Sequence, residues 1–201
     1  MKFIKLVCIM FCFSSVAASL CRGKLSRKPN ILFFLVDDMG VGDTSVPFLY
    51  ENGKPKRIPT NDLYRTPNME KLAQNGRLFT QAYSYSVCSP TRISLMTGQA
   101  APRHGVTTWT HPKKSSIDTG RVQTKKIKSP SDWTIQGLDL SLPLLPRILT
   151  KSGYKTLFAG KAHFGPDDTP AGNPLNIGFE VNIAGYGGGG PGSYHGEHKY
   201  S

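Results

Sequence analysis

Acidic residues are scarce in this chain of 201 residues, where 13 Asp and Glu face 25 Lys and Arg for a formal charge of +12. Such a surface favours a polyanionic partner such as nucleic acid, acidic lipid or sulfated glycan. No recognisable nucleic-acid motif accompanies the charge, so a nucleic-acid partner is not expected. Cysteines are also few. Of the 4 present, Cys8 and Cys12 fall in a leader-like segment, leaving Cys21 and Cys88. Two cysteines make no disulfide framework. Long apolar runs are missing as well: the stretch from Leu6 to Phe13 is too short to span a membrane. Internal repeats and a second domain defined by composition are both absent.

What the first residues do contain is Lys2 and Lys5, the apolar run, and small residues at Val16-Ala17-Ala18. This is the layout of a secretory signal peptide over residues 1–18, followed by a linker over 19–27 and one domain over 28–201. Removal of Lys2 and Lys5 leaves +10. The product is expected to be exported, periplasmic or secreted. A lipoprotein anchor at Cys21 is the lesser alternative, because Leu20 suits that processing poorly.

The densest chemical signal is Ser86-Val87-Cys88-Ser89-Pro90-Thr91-Arg92-Ile93-Ser94-Leu95-Met96-Thr97-Gly98. Pro two residues beyond Cys88, an apolar helical pattern and a closing Gly predict a helix that opens at the cysteine. Cys88 then sits at the positive helix end, where an anion is stabilised. Arg92, four residues on, shares its face and can lean back toward it. The competing reading is a buried thiol and a surface Arg.

Further along, Asn30 to Val36 is a continuous apolar run, expected to be a central strand covered on both faces. It ends in Asp37-Asp38-Met39-Gly40. Paired carboxylates there repel unless a cation or protons intervene, and hard oxygens suit Ca²⁺ or Mg²⁺. An Asp-rich turn is the alternative. Thr66-Pro67 opens a helix through Gln74 with Gly76 as its stop. Arg77 to Ser84 is expected to be a short strand, and His104 a structural residue. Thr107 to Gly137 carries six basic residues without apolar periodicity, as a solvated loop does. Ser141 to Ser152 is expected to be a helix with Pro143 in its first turn and Pro146 distorting it. Residues 154–159 are expected to be a buried strand. If its extended form persists, Lys161 and His163 share a face and pair an ammonium with an imidazole. Asp167 to Ser201, rich in Gly and Pro, is expected to be a flexible loop region.

The thirteen-residue stretch around Cys88, the Asp37-Asp38 strand end and Gly153–Gly165 together resemble the sulfatase family, from about Lys28 onward. The resemblance implies an α/β, alkaline-phosphatase-like sandwich with a mixed, mostly parallel central sheet, truncated to an amino-terminal portion. Further metal ligands and a leaving-group acid would then lie elsewhere. It also implies a sulfuric ester hydrolase acting on a sulfated carbohydrate or an aryl sulfate. Cys88 would be converted to Cα-formylglycine by a maturation enzyme, and its hydrate would be the nucleophile. Asp37, Asp38 and residue 88 would hold Ca²⁺. Arg92 and Lys161 would neutralise sulfate oxygens, and His163 would be the candidate base. Relatives commonly carry an aromatic residue where this chain has Ala162. The alternatives are a phosphoester or phosphonate hydrolase of the same superfamily, and an inactive secreted fragment that binds sulfated glycans.

Overall fold

Pro90 lacks the amide proton that the first helical turn leaves unused, and Gly98 can adopt the left-handed conformation that ends a helix. The chain uses both. In the computed structural model, which describes residues 28–110 and 137–190, a helix runs from Cys88 to Thr97. Gly98 closes it at φ 66°, with its N–H bonded to Ser94. In chain order the described elements begin with β1 (Leu49–Glu51), β2 (Lys54–Lys56), α1 (Thr60–Leu63) and α2 (Pro67–Asn75). The Cys88–Thr97 helix is α3, followed by α4 (Ala101–His104) and α5 (Leu145–Lys151). Then come β3 (Leu157–Ala159), a 3₁₀ turn (Pro170–Gly172), α6 (Pro174–Ile177) and β4 (Val181–Ile183).

The described residues fall into two units divided after Met39. In the first, Ile31 to Val36 are exposed and form no strand. This corrects the expected central strand. An apolar run encodes burial between layers, but strand structure exists only through hydrogen-bonded neighbours. No strand pairs with this segment among the described residues. Asp37 and Asp38 form the turn that follows, with Asp38 in the left-handed region at φ 56°.

In the second unit, β1 and β2 pair antiparallel, and β3 pairs parallel with β4, Leu157 opposite Val181. The unit is therefore α/β with two two-stranded sheets. The mixed, mostly parallel sandwich is not present among the described residues. The core lies beneath α3: Ile93 and Met96 pack with Val106, Leu138, Leu144, Ala162, Phe164, Ala171 and Ile177. Each fully buried aliphatic side chain here contributes about 1.5–3 kcal/mol. Phe158 of β3 reaches this core by packing edge-on against Phe164, with ring centroids 5.5 Å apart. Ala162 is itself fully buried in the core, so the small residue fills a packed position.

Three element boundaries depart from expectation. Thr66 precedes α2 as expected, but its side chain does not cap the helix. Its Oγ1 instead accepts the Ser45 N–H at 3.0 Å and meets the Ser45 and Thr44 hydroxyls at 2.8 Å. Helix α5 begins at Leu145, because Pro146 occupies the first turn rather than distorting a longer helix. Residues 77–84 form no strand. The segment is fastened instead by Tyr85, whose N–H reaches Thr91 Oγ1 (3.0 Å) and whose hydroxyl accepts the Ala101 N–H (2.8 Å). The leader, Cys21, most of the basic Thr107–Gly137 loop and residues 191–201 lie outside the described residues.

Candidate active site

Cys88 is the first helical residue of α3, and no acidic side chain occupies that helix's first turn. The aligned peptide dipoles favour negative charge there by about 0.3–1 kcal/mol. Thr91 steadies the turn from within, donating to the Val87 carbonyl at 3.1 Å. The half-buried Cys88 side chain meets an imidazole: its Sγ lies 3.1 Å from His163 Nδ1.

His163 arrives by a route that strand periodicity does not foresee. β3 ends at Ala159, Gly160 turns at φ 95°, and His163 itself adopts φ 49°. The extended form does not persist, so the expected shared face of Lys161 and His163 is not how they are arranged. The left-handed backbone sends the His163 side chain inward, where it is 5% exposed. Its N–H is held by the Tyr186 carbonyl at 3.2 Å. Its Nε2 lies 3.2 Å from the Thr110 carbonyl. A carbonyl only accepts, so Nε2 carries a proton. Nδ1 then accepts the Cys88 thiol proton when the ring is neutral, and donates to sulfur when the ring is charged.

Arg92 is buried at 5% exposure, one turn after Cys88. Its guanidinium donates to the Lys161 carbonyl, which ties α3 to the chain leading into His163. Neither Arg92 nor Lys161 is among the residues lining the cavity onto which Cys88 opens. That cavity, of about 370 Å³, is lined by Cys88, Trp109, Thr110, His163, Pro166, Asp167 and Gly187 to Gly189. The glycine segment, expected to be a flexible loop, is a fitted wall. Gly187 donates its N–H to Asp167 Oδ1 at 2.6 Å, and a Cβ at Gly189 would stand 3.1 Å from His163 Cε1. Trp109, Thr110, Asp167 and these glycines were missed by sequence reasoning. The glycine run was the one available signal, since side-chain-free residues permit close backbone approach.

His104 is the structural residue expected. Its Nδ1 accepts the Val106 N–H (3.2 Å), which leaves Nε2 to donate to Ser94 Oγ (2.9 Å). A ring so held cannot act as base toward that serine. Burial holds its pKa below the ordinary value.

Asp37 and Asp38 belong to the first unit and are both exposed in their turn. Among the described residues no group of three His, Cys, Asp or Glu side chains is arranged to hold a metal. Two adjacent exposed carboxylates are hard donors that suit Ca²⁺, as a part of the six to eight oxygens it takes.

A cysteine at a helix N-terminus, bonded to an imidazole and facing a cavity, is an arrangement that suits an activated nucleophile. The family model described as Sulfatase matches residues 29–190. The chain belongs to the sulfatase family. The N-acetylgalactosamine-6-sulfatase of Mus musculus is 34% identical over 155 residues, covering 77% of this chain and 25% of the relative. That of Homo sapiens gives the same identity and coverage. The crystal structure of Ps i-CgsB matches with a TM-score of 0.53 at 28% identity, covering 81% of this chain and 29% of that one. The chain thus spans about a quarter of the length of the curated relatives it matches.

Proposed function

We propose that this chain carries the nucleophile side of a site hydrolysing sulfate esters, with Cys88 converted to Cα-formylglycine. The observation that supports this most directly is the Cys88–His163 contact of 3.1 Å at the start of α3, facing a cavity. The position fits the converted residue. A hydroxyl in place of Sγ would keep the bond to Nδ1, and the cavity has room for a tetrahedral anion. Once formed, the aldehyde hydrate supplies two hydroxyls: one attacks sulfur as the ester's S–O bond breaks and the alcohol leaves, and the other then gives up its proton so that the C–O bond to sulfate breaks and the aldehyde re-forms.

Part of the remaining work falls to this chain's residues. His163 Nδ1, with Nε2 committed to Thr110, is the acceptor for the proton of the second hydroxyl. The resemblance to the family assigns Arg92 and Lys161 to the sulfate oxygens; neither lines this cavity and Arg92 is held at the Lys161 carbonyl, so their part in the proposal rests on that resemblance. Asp37 and Asp38, two adjacent hard carboxylates, are the proposed ligands of Ca²⁺. Substrate is already anionic, so cation placement dominates this catalysis.

A sulfated carbohydrate is the favoured substrate class. The basic composition supports it, as does the name of the mammalian relatives, which act on an N-acetylgalactosamine sulfate. Export through the leader over residues 1–18 is part of the same proposal. No helix among the described residues is long and apolar enough to cross a membrane. The test is the chemical state of residue 88 after expression in a host with the maturation enzyme. Mass spectrometry of the tryptic peptide Leu78–Arg92 should show aldehyde in place of thiol. Finding only alkylatable cysteine would sink the proposal.

A further inference from the structure

Ser89 follows the nucleophile position, is fully buried, and plays no part in the chemistry just described. Its Oγ accepts the Thr110 N–H at 3.1 Å and lies 3.4 Å from Thr110 Oγ1. Thr110 is 5% exposed, and its carbonyl receives His163 Nε2 at 3.2 Å. His163 Nδ1 returns to Cys88 Sγ at 3.1 Å, and Cys88 is covalently joined to Ser89. The contacts therefore close a ring: Cys88, Ser89, Thr110, His163 and Cys88 again.

We infer that Ser89 is a positioning residue that sets which nitrogen of His163 carries the proton. The argument is geometric. Thr110 belongs to no helix or strand, so the backbone ladder does not fix the direction of its carbonyl. The Thr110 N–H and C=O flank one Cα, and holding the first at α3 aims the second at the imidazole. The carbonyl can only accept, so it selects the Nε2–H tautomer and leaves Nδ1 as a lone-pair acceptor facing residue 88. Without the Ser89 acceptor, a buried Thr110 N–H must seek another partner. Its carbonyl turns with it, and His163 loses the bond that selects one tautomer. Asp167, the charged side chain that lines the same cavity as this ring among the described residues, is bonded to the Gly187 N–H rather than to Ser89.

The inference rests on the proposed role of His163 as base, but its test does not need turnover. The protein with ¹⁵N-labelled histidine is observed by NMR across a pH series, and the tautomer is read where the spectrum shows the neutral ring. The His163 signal is assigned by its loss in His163→Asn. Wild type should show a single Nε2–H tautomer. Ser89→Ala should lose that signature, gaining a measurable share of the Nδ1–H form while circular dichroism stays native. Thr110→Val, which keeps the N–H and C=O, should behave as wild type. Should Ser89→Ala not fold, Ser89→Cys, near in size but a weaker acceptor, serves in its place. A wild-type His163 protonated on Nδ1, or an unchanged tautomer in the Ser89 variants, overturns the inference. Either result leaves the formylglycine proposal standing, since that is read separately by mass.

Discussion

Replacing Gly187 with Ala tests whether the glycine segment is a fitted wall of the cavity or a loose cover. A Cβ built there would stand 2.5 Å from the Gly165 carbonyl oxygen, 2.6 Å from the Asp167 nitrogen and 2.7 Å from Asp167 Oδ1. The first two are backbone atoms and cannot rotate away. Gly187 is not among the positive-φ glycines, so the cost is steric rather than conformational. Overpacking of this kind costs about 1–3 kcal/mol. Relief by moving the segment outward sacrifices the 2.6 Å bond to Asp167, a charged acceptor. Such a bond contributes about 1.5–3 kcal/mol, and the exposure of Asp167 places it at the low end. The two costs are alternatives in part, so a net loss of about 2–4 kcal/mol is expected. At about 2–4 °C per kcal/mol for a chain of this size, the melting midpoint should fall by roughly 5–15 °C. The control is Gly190→Ala, where a Cβ meets nothing within 4 Å and a change within about 0.5 kcal/mol is expected. Calorimetry gives the midpoints. Iodoacetamide labelling of unconverted Cys88, in protein made without the maturation enzyme, should be faster in Gly187→Ala and reports the opened wall. Equal midpoints for the two variants would refute the reasoning.

Two further outcomes are expected. Asp38→Asn keeps a residue that tolerates the left-handed φ of 56° while removing one carboxylate. Calcium affinity measured by titration calorimetry should weaken by roughly tenfold or more with the fold intact, and unchanged affinity would remove Asp38 from the site. Burial holds His104 below the ordinary imidazole value of 6.5, so the folded protein binds this proton less readily than the unfolded chain. Its contribution to stability is therefore complete above about 6.5 and is lost as pH falls toward the folded value. Urea midpoints across that window should decline less in His104→Gln than in wild type, and parallel declines would contradict the assignment.

The sequence by itself determined the local elements. Pro90 and Gly98 bracket α3 because one lacks an amide proton and the other tolerates φ 66°. Pro67 opens α2 in the same way, while Gly76 closes it at φ −113°, where a Cβ would stand 2.8 Å from the Leu72 carbonyl oxygen. Cys88 at a helix start, and Arg92 one turn behind it, follow from spacing alone. Non-local partners were beyond its reach. The apolar content of residues 30–36 specifies a wish for burial but not the neighbours that would make a strand, and those residues stand exposed. His163 came within 3.1 Å of Cys88 only because the chain bends at Gly160 and His163 takes a left-handed backbone. Alternation along an extended strand would have placed it otherwise. Thr110, Asp167 and Gly187 join the site through hydrogen bonds spanning 20 to 53 residues of sequence. Local propensity reads the few residues that share a turn. Which carbonyl meets which imidazole is decided by packing of the whole unit, because only the folded backbone fixes the direction of groups that far apart.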